Sequence, residues 1–253
     1  MPTSDLILLV ILTFLTSAVG VVTGSNSLII VPVMFQFGID PKVAVATNMF
    51  GLTFMAVGAT IPFLRSGAIE RKRVTPLILL TLAGSAIGAS LVNFITGDAL
   101  KIIVSVSMIL VTIFTLLKRN AGVEKVENIR QGALIFAYVL TFALAIYGGL
   151  YSGGYVTLLT ATCVSFLGMT FTEAVASTKL INVFSSLVAS IIFMRQGLVD
   201  YKLGAILAVT MFVAAYVGAK TVTKLNDLWL RRIFLATVLI LAAKTIFDFI
   251  YNA

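Results

Sequence analysis

Apolar residues run along this chain in long, nearly unbroken stretches, and polar positions fall between the stretches rather than alternating with apolar ones. A helix rises about 1.5 Å per residue, so about 20 apolar residues cross a bilayer core of about 30 Å. The pattern predicts ten helical segments, at about 5–19, 27–37, 43–64, 74–96, 99–117, 131–147, 155–167, 172–194, 203–222 and 227–250. The second and seventh, of 11 and 13 residues, are too short for a full crossing. They follow GVVTGSNS (20–27) and YGGLYSGGY (147–155), both dense in residues that break helices or cap their starts. The pattern therefore reads as a helix, an irregular break and a short helix at matching places in two halves.

The halves also match residue by residue. GIDPKVAVATNMFGLTFMAVGATIPFLRSGAIERK (38–72) aligns without a gap to GMTFTEAVASTKLINVFSSLVASIIFMRQGLVDYK (168–202), at a constant offset of 130. Eleven of these 35 positions are identical, where roughly three are expected by chance from so biased a composition. The offset extends outward, since Gly24 falls on Gly154, Leu28 on Leu158, and Gly88-Ala89 on Gly218-Ala219. Each half also carries R-x-G, two apolar residues and an acid, from Arg65 to Glu70 and from Arg195 to Asp200. The expected organisation is a first transmembrane repeat at 1–117, a linker at 118–130 and a second repeat at 131–253.

Composition settles the solvent: 60% of residues are hydrophobic, 11% are charged, and the mean hydropathy is +1.10, far above a soluble domain. The net charge of +8 is no nucleic-acid footprint, because the basic residues sit in short loops and not along one face. With all ten segments counted as crossings, twelve of the 18 Lys and Arg residues lie on one side, four on the other and two, Lys179 and Lys244, inside helices. The basic side is expected to be cytoplasmic, which places both termini outside the cytoplasm and the polar linker within it. Five segments per unit then run the two repeats oppositely through the bilayer, as in many secondary transporters. The fold class expected is an all-α polytopic protein of the cell membrane with two inverted-topology repeats and broken short helices. Asp5 stands where a signal peptide would carry Lys or Arg and no cleavage pattern follows, so the first segment is expected to be retained. The single cysteine, Cys163, has no partner for an internal disulfide and reads as a small apolar packing residue.

Enzymatic constellations are scarce. There is no histidine, the lone cysteine lacks a base, and no cluster has metal-ligand spacing. Nine of the ten carboxylates fall at segment ends or in loops, the exception being Asp248, which pairs most simply with Lys244 four residues before it. Trp229 and Tyr251 fit an interfacial belt. No enzyme, cofactor or metal is expected. No G-x-x-x-x-G-K-[ST] motif is present, so transport energy has to come from a gradient or a partner.

Lys179, within VASTKLINVF (175–184), stands apart, about seven residues into its helix. A cation at that depth on the lipid face costs several kcal/mol, so it is expected to face the bundle interior or a wet cavity. The bland alternative is a structural lysine paired with a backbone carbonyl or with Glu173. Lys179 aligns with Met49, just after Thr47-Asn48 in the first half and Ser177-Thr178 in the second. The breaks supply the complement, because a helix starting inside the protein points N–H groups and its positive dipole end at what lies before it. Ser25, Asn26 and Ser27 are candidate caps of the first short helix, and Gly153, Gly154 and Tyr155 open the second. Arg65 and Arg195 are candidate interface anchors or gating residues.

The duplicated unit, the segment LIIVPVMFQFGIDPKVAVATN, its echo GGYVTLLTATCVSFLGMTFTEAVASTKLIN and the R-x-G loop after each long helix resemble the TauE/SafE family of sulfite and organosulfonate exporters. The resemblance covers roughly residues 8–250 and implies permeation of small sulfur-containing anions, usually outward. By position it maps two re-entrant regions onto Gly24–Pro32 and Gly153–Thr162, and pore-facing polar segments onto Thr47-Asn48 and Ser177 to Asn182. The expected function is an alternating-access carrier that holds a small anion between the two breaks, with Lys179 as its counter-charge. The alternative is an anion channel or a non-transporting membrane scaffold; a carrier shows saturable, counter-flow-stimulated flux where a channel conducts without exchange. Expected partners are the anion and the lipid bilayer, no nucleic acid, with a homo-oligomer left open.

Overall fold

The computed structural model describes residues 2–24, 26–104, 106, 130–224 and 232. Ser25, most of the segment expected at 99–117, nearly all of the linker, and the last segment with Trp229, Lys244, Asp248 and Tyr251 lie outside the described residues. The described regular structure is all helical: α1 (Thr3–Thr23), α2 (Asn26–Gln36), α3 (Pro41–Arg65), α4 (Arg71–Leu91) with a 3₁₀ turn at Val92–Phe94, α5 (Gln131–Leu150), α6 (Tyr155–Leu167), α7 (Phe171–Arg195) and α8 (Tyr201–Val222). Six of these are long and apolar enough to cross a membrane, while α2 and α6 are the short helices expected from the breaks.

Local chemistry explains the boundaries. Asp40 caps α3 by accepting the N–H groups of Lys42 at 2.9 Å and Val43 at 3.3 Å, with Pro41 at the first helical position. Thr170 and Glu173 close a reciprocal capping box at the start of α7. The R-x-G motif is a turn between two helices. Arg65 and Arg195 end α3 and α7, Gly67 and Gly197 sit at φ +72° and +69°, and Glu70 and Asp200 occupy the N-cap positions of α4 and α8. All six positive-φ glycines among the described residues fall into three pairs 130 apart: Gly24/Gly154, Gly38/Gly168 and Gly67/Gly197. The backbone thus turns at the same places in both halves, and α3 and α7 share both bounds at that offset.

The halves interleave. After its five-residue turn α4 leaves α3 and packs on α5 and α7, while α8 leaves α7 and packs on α1 and α3. Helices α3 and α7 also pack on each other and form the centre. Of their most apolar stretches 78% and 61% is buried, against 28–39% in the other four long helices, so α3 and α7 are the least exposed of the long helices. Peripheral helices show the reverse pattern of a soluble protein. On α1, Ile7, Ile11 and Leu15 are more than half exposed, whereas Thr13 and Ser17 are buried.

Small residues set the closest approaches, as expected where lipid gives no hydrophobic drive between helices. A Cβ on Gly88 would lie 1.9 Å from the Ile146 carbonyl oxygen of α5. At the matching place, a Cβ on Gly218 would lie 2.4 Å from the Ala18 carbonyl oxygen of α1. The repeated Gly-Ala pair of the sequence therefore marks two backbone crossings. Gly132 has nothing within 4 Å of such a Cβ. Replacing Gly88 or Gly218 with Leu is expected to destabilise the purified protein by about 1–3 kcal/mol or more through overpacking, while Gly132→Ala is neutral or slightly stabilising. Thermal unfolding in detergent, followed by fluorescence-detected size exclusion, measures the difference.

Candidate functional site

Lys179 stands ninth in α7, about 12 Å from the helix start at 1.5 Å per residue. It is 2% exposed, and it is the one fully buried charged side chain among the described residues. Its Nζ donates to the Gly20 carbonyl oxygen in the last turn of α1 at 2.9 Å. That oxygen also accepts the Gly24 N–H at 2.8 Å, which closes α1. Of the two partners the bland reading offered, the lysine takes the carbonyl; Glu173 belongs to the capping box of α7. An ammonium removed from water and balanced by a single neutral carbonyl is costly, which is why such residues in membranes mark functional sites.

The two breaks meet beside this lysine. Gly24, at φ +68°, lies so close to the start of α6 that a Cβ there would stand 2.6 Å from Val156 Cβ and 2.9 Å from the Thr157 nitrogen. Thr157 Oγ1 donates to the Thr23 carbonyl, and Tyr151 Oη donates to the Ser27 carbonyl at 3.0 Å. Within the second break, Tyr147 Oη donates to the Gly153 carbonyl. Three carbonyls around the first break, those of Gly20, Thr23 and Ser27, thus receive side-chain donors from the second half. The positions equivalent to Lys179, Tyr151 and Thr157 in the first half are Met49, Val21 and Ser27, so only Ser27 could return the favour.

A small cavity of about 10 Å³, measured as space for the centre of a water molecule, lies at this junction; that is room for about one water. Its polar lining comes from Gly24, Asn26, Ser27, Ser152, Lys179 and Asn182, and its apolar lining from Leu52, Met55, Ala56 and Val156. Two pairs in this lining, Asn26/Val156 and Leu52/Asn182, are related by the offset of 130, so both halves contribute equivalent positions. Asn26 Nδ2 donates to Ser17 Oγ and lies 3.5 Å from Met55 Sδ. Its Oδ1 has no partner among the described residues, and the same holds for Oδ1 of Asn182 and of Asn48.

The candidate residues separate into those at the cavity and those that support it. Asn26, Ser27, Lys179 and Asn182 line it, and Asn48 stands one bond away, donating through Nδ2 to Ser27 Oγ at 2.9 Å. Asn26 and Ser27 are helical in α2 and use their side chains to reach Ser17 and Asn48. Thr47 Oγ1 instead accepts the Asp200 N–H at 3.0 Å and fastens α3 to the start of α8. Thr178 bonds the Val175 carbonyl at 3.0 Å and pairs with Thr160 at 3.1 Å, while the buried Ser177 hydroxyl has no partner among the described residues. Gly153 and Gly154 shape the second break, and Tyr155 turns away to Thr81 at 3.4 Å. Arg65 and Arg195 lie exposed at helix ends, away from the cavity. Sequence reasoning did not single out Ser152, although it stands inside the second break, or the apolar wall of Leu52, Met55, Ala56 and Val156. The signal for Leu52 and Val156 was the repeat alignment itself.

A family model described as "Sulfite exporter TauE/SafE" matches residues 9–245. The chain is 28% identical over 207 residues to "Probable membrane transporter protein ORF9" of Sinorhizobium sp, covering 82% of this chain and 79% of that one. It is 24% identical over 235 residues to a "Probable membrane transporter protein" of Haemophilus influenzae, covering 93% and 92%. A third relative, "Probable membrane transporter protein YfcA" of Escherichia coli, is 25% identical over 227 residues, covering 90% and 84%. No solved structure matches the chain significantly.

The contact between the breaks is testable without any ligand. Gly24→Ala adds both an unfavourable φ and a clash with Val156, so a loss of about 1–3 kcal/mol is expected. Thr157→Val removes one donor from the Thr23 carbonyl and is expected to cost about 1 kcal/mol. Melting temperatures of the purified variants rank them; a Gly24→Ala protein as stable as the parent would contradict the close approach.

Proposed function

Because the chain belongs to the sulfite exporter TauE/SafE family, a family of membrane transporters, we propose that it is a secondary carrier of small sulfur-containing anions. Sulfite and organosulfonates are the substrate class, moved outward by alternating access, with the anion held where the two breaks meet and balanced by Lys179. The observation that carries this reading is a fully buried ammonium with no buried acid near it among the described residues, beside a cavity lined by equivalent positions of both halves. A site with net positive charge and no carboxylate favours anions over cations.

Room for about one water is too little for an oxyanion, so loading the site requires the breaks to part. In this closed arrangement the Gly20 carbonyl occupies the ammonium; an anion oxygen takes its place on binding. Movement of one repeat against the other supplies the opening, and repeats of opposite orientation make the inward and outward forms near equivalents. Both termini lie outside the cytoplasm in this arrangement, with repeats at 1–117 and 131–253 joined by a cytoplasmic linker.

Two measurements test the reading. Lys179→Met keeps the apolar stem and removes the charge, so stabilisation by sulfite or small sulfonates is expected to fall tenfold to a hundredfold in affinity, about 1.5–3 kcal/mol. Lys179→Arg retains part of the binding and alters preference among anions, while Thr178→Val and Asn48→Leu cost less because their hydrogen bonds are neutral. Unchanged binding and counter-flow in Lys179→Met would place the anion elsewhere. For orientation, single cysteines at Asn128 and Gly197 in a Cys163→Ser background are expected to react with impermeant thiol reagents from the cytoplasmic and external sides respectively. Labelling of both from the same side refutes the inverted arrangement.

A further inference from the structure

The site offers one positive charge and, beside it, hydrogen-bond acceptors that no described group satisfies. Asn26 is 2% exposed and lines the cavity. Its Nδ2 donates to Ser17 Oγ and lies against Met55 Sδ, and in that orientation Oδ1 is left as an acceptor with no donor among the described residues. Asn182, 5% exposed on the same cavity, has a second such oxygen; the nearby Ser186 hydroxyl donates to its backbone carbonyl and not to its side chain. A buried acceptor without a donor carries the full desolvation cost, and a ligand that brings a donor removes it. An anion made of acceptors alone would face these oxygens with lone pairs against lone pairs.

We infer that the substrate held at Lys179 is a singly charged oxyanion that also carries a neutral O–H donor, with the anionic oxygen on the lysine and the hydroxyl hydrogen on Asn26 Oδ1. This rests on the proposed placement of the anion at Lys179. Three features of the site select that class. One ammonium with no other buried charge among the described residues balances one negative charge, so a dianion would bring a second, uncompensated charge into a poorly hydrated interior. The unpartnered carboxamide oxygens, as they are oriented, favour a donor on the ligand. An ammonium donor would satisfy them but would place a second cation beside Lys179, with no buried acid among the described residues to offset it. Hydroxylated sulfonates and singly protonated oxyanions meet all three conditions.

Three probes on the same two-carbon chain separate these terms: 2-hydroxyethanesulfonate, ethanesulfonate and 2-aminoethanesulfonate, with sulfate as the dianion. Binding to the purified full-length protein in detergent, by calorimetry or thermal shift, is expected to follow that order. The hydroxyl compound should bind at least about tenfold more tightly than ethanesulfonate, and sulfate more weakly than ethanesulfonate. Asn26→Leu is expected to bring the hydroxyl compound down to the level of ethanesulfonate, and Asn182→Leu to reduce the gap in part; the comparison within the parent protein stands even if a variant fails to fold. Equal binding of the hydroxyl compound and ethanesulfonate, or tighter binding of the amino compound or sulfate, overturns the inference while leaving an anion at Lys179. Binding of none of the four, or binding that survives Lys179→Met unchanged, overturns the placement at Lys179 and the inference with it.

Discussion

A helix that stops inside a membrane leaves carbonyl oxygens that lipid cannot satisfy, and the organisation of this protein follows from how those oxygens find donors. Around the first break the carbonyls of Gly20, Thr23 and Ser27 accept Lys179, Thr157 and Tyr151 of the second half, in addition to the Gly24 N–H that the Gly20 oxygen takes within its own half. The first break thus leans on the second half, whereas the Gly153 carbonyl of the second break is met by Tyr147 of its own half. The two breaks face each other, and the central helices α3 and α7 are the most buried of the long helices. The same requirement admits a lysine to the interior, since a carbonyl acceptor waits for it.

The backbone obeys the 130-residue offset far more strictly than the side chains do. Positive-φ glycines, the starts of α3/α7 and α4/α8, and the Gly-Ala crossings all pair across it. The chemistry around the cavity does not, for Asn26 faces the offset with Val156, Asn182 with Leu52 and Lys179 with Met49. A duplicated scaffold thus supports a lopsided site: polar and apolar residues alternate between the halves, and the single charge comes from one of them. A second lysine at the position of Met49 would add a like charge to a low-dielectric interior, whereas the single lysine is balanced by a carbonyl.

Packing and polarity are divided between different helix faces. Glycines at α4/α5 and α8/α1 allow backbone to approach backbone closely, and Ser85 Oγ adds a bond to the Ala145 carbonyl at the first of these seams. Hydroxyl and amide pairs such as Asn48–Ser27, Thr178–Thr160 and Thr53–Ser190 are concentrated along α3 and α7. Neutral hydrogen bonds of this kind contribute modestly when made and cost more when a buried partner is left without one, so the polar groups along α3 and α7 constrain how these helices pack.

The sequence by itself determined the solvent, the helices, the two breaks and the repeat, because each depends on local or periodic signals: apolar run length, glycine and proline placement, caps, and identity at a fixed offset. It also marked Lys179, since a charge within an apolar helix is visible without any neighbour. What it could not decide was which polar residues share a cavity. Thr47 and Asn48 are adjacent in sequence, yet one ties down α8 and the other reaches Ser27 beside the cavity, because consecutive helical residues point about 100° apart and meet different neighbours. Likewise only the tertiary structure set Gly20 opposite Lys179 across 159 residues, brought Leu52 and Val156 into the wall, and left Asn26 Oδ1 without a donor. These are properties of how separate helices cross, and no pattern along a single helix encodes them.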